Sequence, residues 1–146
     1  MIRALYLSDR ALYPAVVALD PNNKKLSLDK QIRFFTDGEY CAVPLNQYDA
    51  TNALNDFIIY ANRYGLFFDS MEQNMAMRPE LVTSGQPFLA GILYGPVLIT
   101  KHDHTTGEEL TLENDDIKNI LRALNHKVMK NYYREGFLER NIQWTD

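Results

Sequence analysis

The chain has one cysteine in 146 residues, Cys41, which excludes a disulfide framework and a cysteine-based zinc site. It has no long apolar run. The longest, residues 88–99, is too short to cross a bilayer. Neither charge dominates: fifteen Lys and Arg stand against nineteen Asp and Glu, a formal net charge of −4. That balance excludes a sequence-independent nucleic-acid binder, which needs a cationic face, and it falls short of a polyanionic DNA mimic. Repeats, low-complexity tracts and long linkers are absent too. Arg3 is the only early basic residue, and residues 1–7 read as a strand rather than the apolar centre of a secretory signal. A cytoplasmic location is therefore expected. What is present is 46% hydrophobic residues, enough to fill a core, in a chain of one-domain length.

The order of elements predicts an α+β fold, a mostly antiparallel sheet with one short and one long C-terminal helix packed on a face. Residues 2–7 and 15–19 are rich in β-formers and, separated by the break at Pro14, read as a hairpin or two neighbouring strands. Asp20-Pro21-Asn22-Asn23 is a turn, because proline presets φ and asparagine tolerates left-handed geometry. Leu28, Ile32 and Phe35 have helical spacing, with Ser27 as N-cap and Asp37-Gly38 as the stop. Residues 40–45 form the next strand, and Pro44 marks an edge or a strand end. Segments 56–60 and 65–68 bracket Ala61-Asn62-Arg63-Tyr64 as a hairpin loop. Residues 71–83 read as irregular or a short helix. Gly91, Gly95 and Pro96 divide residues 88–100 into two short strands or one bulged strand. A polar turn covers 102–107. The long helix opens at Thr111 as N-cap, has Glu113, Asp115 and Asp116 in its first turns, and carries the stripe Ile117, Ile120, Leu121, Leu124, Val128 and Tyr132. The domain is read as a core of residues 1–124 with an aromatic and basic extension, 125–146.

The segment order carries a resemblance. Met-Ile-Arg-Ala-Leu-Tyr opens the chain, Gly38 and Tyr40 lead into Ala42-Val43-Pro44-Leu45, and an apolar strand ends at Asn62 with a second asparagine at Asn74. Ala90-Gly91-Ile92 then precedes the run from Leu110 to Ile117. This resembles an uncharacterised family of small proteins, a domain of unknown function found in bacteriophages, plasmids and their Firmicute hosts. It covers roughly residues 1–124. Two positions depart from it: Arg63 stands where the family carries an acidic residue, and Met75 where it carries arginine. The resemblance implies a phage or mobile-element accessory protein working in a bacterial host cytoplasm, and it brings no established activity.

No catalytic motif is present. There is no Gly-x-Ser-x-Gly, and Ser84-Gly85-Gln86-Pro87 reads as a turn. Gly91 and Gly95 lack the Lys-Ser/Thr ending of a phosphate loop. Cys41 lies in a strand-like run with nothing nearby in sequence to lower its pKa, so it reads as a small buried hydrophobe. His102 and His104 share a face if extended and offer two ligands to a metal. A third, Asp69 or Glu108, must come from elsewhere, and a solvated turn explains the pair as well. No metal and no cofactor are expected.

Two surfaces remain. Asn62-Arg63-Tyr64 combines a donor–acceptor amide, a phosphate-matching fork and a stacking ring, with Asn74 and Arg78 able to join the same mouth. A polar turn with a solvated arginine is the plain alternative. Tyr132, Tyr133, Arg134, Phe137 and Trp144 gather residue types enriched at interfaces, so a homo-oligomer or a partner contact is expected there, against a tail that simply packs back on the sheet. The leading expectation is a non-enzymatic, phage-encoded anti-defence binding protein that sequesters a nucleotide-like immune signal or blocks a host defence protein. The alternatives are a small metal-dependent hydrolase built on His102 and His104, and a pure protein–protein interaction module.

Overall fold

A computed structural model describes residues 1–9, 14–45, 56–68, 70–72, 74, 93–123 and 138–139. The chain is α+β. Its strands are β1 (Ile2–Leu7), β2 (Ala15–Leu19), β3 (Tyr40–Pro44), β4 (Phe57–Asn62), β5 (Val97–His102), β6 (Glu109–Leu110) and β7 (Leu138–Glu139), with helices α1 (Leu28–Thr36) and α2 (Asn114–Ala123). They form one sheet in the order β3-β4-β5-β1-β2-β7, with β6 pairing β5. Every described pairing is antiparallel except β2 with β7. Through that parallel pair Leu138 and Glu139 lie beside Ala15 and Val16.

β1 is apolar on both sides because both sheet faces are covered. Leu5 and Leu7 join Ile59, Ile99 and the α2 residues Ile117, Ile120 and Leu121 in one core cluster. Ile2 and Ala4 join Leu98 and the α1 residues Ile32 and Phe35 in another. Successive strand residues point to opposite faces, so the two helices lie on opposite sides of the sheet. The expectation of helices on one face is corrected accordingly. Helical stripes locate the buried side of each helix but not the sheet face it meets.

Local chemistry sets the element ends. The Ser27 hydroxyl accepts the Lys30 N–H at 3.3 Å, the expected N-cap. Asp37 closes α1 in a left-handed conformation (φ 60), followed by Gly38 at φ 136. Buried Gln31 pins the preceding turn to the helix: its Nε2 donates to the Asp20 and Leu26 carbonyls, and its Oε1 accepts the Asp20 N–H. At α2 the cap differs from expectation. The helix begins at Asn114, and Asp116 accepts the Glu113 N–H at 2.9 Å, the reciprocal half of a capping box. Thr111 instead accepts the Arg3 N–H, so the hydroxyl docks β1 rather than capping the helix. Lys101 on β5 pairs with Asp116 at 3.2 Å, half-buried, and ties α2 to the sheet.

Pro44 is the last residue of β3, and β3 is the outer strand at that side of the described sheet, so both readings of the proline hold. The hairpin loop at 61–64 does not exist. β4 runs through Asn62, its partners are β3 and β5, and Gly65–Phe67 is a short 3-10 turn.

Candidate functional site

The end of β4 meets the end of α1 and the start of β3, and Asn62 joins all three. At 7% exposure its Nδ2 donates to the Thr36 carbonyl at 2.9 Å and to the Asp37 carbonyl at 3.2 Å. Its Oδ1 accepts the Tyr64 N–H at 2.8 Å. The side chain thus satisfies orphan carbonyls at a helix C-terminus and turns the chain out of the strand. Asn74 does similar work on the far side. Only 1% exposed, it donates from Nδ2 to the Leu7 carbonyl at 2.9 Å and the Gly95 carbonyl at 3.1 Å, and from its backbone to Leu93. Both asparagines are committed to the fold. They are far enough inside to leave Arg63 and Tyr64, which are exposed, as the parts of that group open to a ligand. Arg78 lies outside the described residues, as do Tyr132, Tyr133, Arg134, Phe137 and Trp144.

Arg63 belongs to a cleft of about 310 Å³ lined by Asp29, Arg33, Glu39, Tyr40 and Arg63. α1 supplies Asp29 and Arg33, one turn apart, which pair at 2.9 Å. The residues after Gly38 supply Glu39 and Tyr40. The Arg63 N–H donates to the Glu39 carbonyl at 2.8 Å, and its guanidinium reaches the Tyr40 carbonyl at 3.4 Å. The Tyr40 hydroxyl donates to Asp29 Oδ1 at 2.6 Å. That bond, ahead of the neighbouring Arg33, holds the Asp29 carboxyl below its ordinary range. Behind the cleft Tyr40 stacks edge-on against Tyr60 with centroids 5.2 Å apart, and the Tyr60 hydroxyl donates to Glu109 at 2.7 Å. Burial first, then Glu109, pushes Tyr60 upward.

Asp29, Arg33, Glu39 and Tyr40 were not singled out from the sequence. One signal existed, the exposed acid–base pair at i, i+4 on α1. The Tyr40–Asp29 bond spans an α1–β3 contact that no local pattern reveals.

Tyr40 offers a pH test. Burial, then its bond to Asp29, pushes it up to about 12 from 10.0. A raised phenol stabilises the fold fully below the unfolded value and loses that contribution as pH rises through the folded one. In an alkaline titration followed by tyrosinate absorbance, Tyr40→Phe is expected to remove a late-ionising tyrosine. Loss of an ordinary one near pH 10 would contradict the Tyr40–Asp29 bond.

Elsewhere, His102 ends β5 and His104 sits in the following turn, their rings 5.4 Å apart. His104 Nε2 bonds Asp56 at 2.7 Å. Asp103 Oδ1 accepts the Thr105 and Thr106 N–H groups and Gly107 adopts φ 74, which makes a polar turn of 103–107, with His102 of the expected 102–107 belonging to β5. Among the described residues, no three of His, Cys, Asp or Glu come together as a metal-binding group, and Asp69 lies outside them. Cys41 is half-buried against the α2-side core. Among the described residues, no helix is long and apolar enough to cross a membrane. Compared with known proteins, the chain matches no family model, no curated protein and no solved structure.

Proposed function

We propose that the chain is a binding protein whose cleft, between α1 and the β3–β4 edge, holds a phosphorylated, nucleotide-like small molecule and releases it unchanged. The observation that carries this reading is the cleft itself: about 310 Å³, walled by Arg33, Tyr40 and Arg63, the lower end of the volumes that small ligands occupy. Arg63 is tethered at one end to the Tyr40 carbonyl, which orients its planar fork while leaving further donors for an anion. Tyr64, next in the chain and exposed, offers a ring to a base. With the resemblance to a phage and mobile-element family, the reading extends to sequestration of an immune signal in a bacterial host cytoplasm. Such a role needs affinity and stoichiometry, with no chemistry.

The experiment is calorimetric titration with mononucleotides. Arg63→Ala is expected to weaken binding by about 1.5–3 kcal/mol, the worth of a charge-assisted bond. Unchanged affinity would return Arg63 to the solvated surface.

A second reading, a blocker of a host defence protein, is favoured by a different observation. The 3-10 turn after β4 exposes Phe67 at 77%, with Phe68 and Tyr64 about half exposed. Aromatic residues of that kind are enriched at protein interfaces. The turn packs closely on the Tyr94 backbone, where a Cβ on Gly65 would lie 2.5 Å from the Tyr94 carbonyl oxygen.

A further inference from the structure

We infer that Glu39 makes the cleft selective for guanine among nucleobases, an inference that rests on the nucleotide reading above. The cleft contains two carboxylates in different situations. Asp29 is engaged at both oxygens, Oδ1 by the Tyr40 hydroxyl at 2.6 Å and Oδ2 by Arg33 Nε at 2.9 Å. Glu39 is exposed, and its carboxylate makes no hydrogen bond or ion pair among the described residues. An ionised carboxylate only accepts, and it accepts best from two adjacent parallel donors.

The neighbour of Glu39 is informative. Its backbone carbonyl takes the Arg63 N–H at 2.8 Å, so the two residues sit side by side. They carry opposite charges, yet Arg63 turns to the Tyr40 carbonyl instead of closing an ion pair with Glu39. The cleft is therefore lined by neighbouring residues that carry an acceptor-only carboxylate and a donor-only guanidinium, with neither spent on the other. The ligand that completes both offers an anion to Arg63 and a pair of donors to Glu39.

Among the bases, guanine alone places two donors, N1–H and the 2-amino group, in line on one edge. Adenine and cytosine set an amine beside an acceptor, and uracil flanks its single N–H with two carbonyls. Each of these turns a lone pair towards the carboxylate, and a site that leaves its polar group unmatched discriminates strongly. A guanosine phosphate meets both requirements in one molecule.

The test is titration of the full chain with GMP, IMP and AMP. IMP keeps the phosphate, the sugar and N1–H of GMP and lacks only the 2-amino group. GMP is expected to bind about tenfold or more tightly than either. Glu39→Gln should bring GMP down to the level of AMP or below it, because the amide presents one donor and one acceptor where the carboxylate presents two acceptors. Arg63→Ala should weaken all three alike and preserve their ratio. Equal binding of GMP and AMP, with both still weakened by Arg63→Ala, would overturn guanine selectivity and leave the nucleotide reading intact. Absence of binding by all three would overturn both.

Discussion

Replacing Asn62 by leucine is expected to lower the free energy of unfolding by about 2–4 kcal/mol, since each buried polar group left unpaired costs about 1–3 kcal/mol. The substitution strands the Thr36 and Asp37 carbonyls and the Tyr64 N–H together. Thr36 is fully buried, and its hydroxyl is already committed to the Ile32 and Gly38 carbonyls, so it cannot serve as a replacement donor. For a chain of this length the midpoint of thermal unfolding should fall by roughly 5–15 °C. Arg63→Ala, one residue on, should leave the midpoint within about 1–2 °C, because Arg63 is exposed and substitutions at such sites change stability little. The contrast between neighbours is the point of the experiment. If Asn62→Leu spared stability and abolished ligand binding, Asn62 would belong with Arg63 and Tyr64 as a binding residue, and the helix-tying role would be wrong.

The same reasoning applies to Asn74, and a loss of about 2–4 kcal/mol is expected for Asn74→Leu. This side chain bridges the end of β1 at Leu7 to Gly95 just before β5. The backbone around it forms a clasp, with Asn74 N–H on the Leu93 carbonyl and Gly95 N–H on the Glu72 carbonyl. Gly95 is itself constrained: it adopts φ 83, and a Cβ there would come within 2.7 Å of Met71 Sδ. Removing the Asn74 amide should release this clasp as a unit. The Gly95 amide is then expected to exchange with solvent much faster, while amides in the β4–β5 centre stay protected. Uniform acceleration across the sheet would show that the clasp is not a separable unit.

Some of this architecture was legible in the sequence for identifiable reasons. Ser27 and Asp37-Gly38 bracket α1 through bonds within a few residues, so local chemistry sufficed. Pro44 lacks an N–H and therefore marks an edge or a strand end, and it stands at both. The pairing of β1 with β2 follows from two β-rich runs joined across a short break. Other features depended on distant partners. Asn62 reads as a turn residue because asparagine favours turns, yet here it is a strand residue whose amide is spent on a helix 25 and 26 positions earlier. Thr111 has the cap-forming hydroxyl, but Arg3 N–H, 108 residues away, claims it. The faces chosen by α1 and α2 were hidden for a related reason. A strand that is apolar on both sides gives no alternation, and in β1 only Arg3 and Tyr6 interrupt the run. That near-continuity was itself the sign of a sheet covered on both faces. The cleft was half legible. Arg63 carried a phosphate-matching chemistry that the sequence displays, whereas Asp29, Glu39 and Tyr40 join it only because α1 folds against β3 and β4.

In the proposed role the cleft holds a small phosphorylated molecule and does not transform it. Native mass spectrometry of the full chain incubated with a nucleotide mixture, followed by denaturation and analysis of what is released, tests this most directly. A nucleotide-sized mass is expected, bound at a fixed ratio to subunits, recovered unmodified and less abundant in Arg63→Ala. Recovery of an altered product, or a bound mass undiminished in Arg63→Ala, would contradict that role.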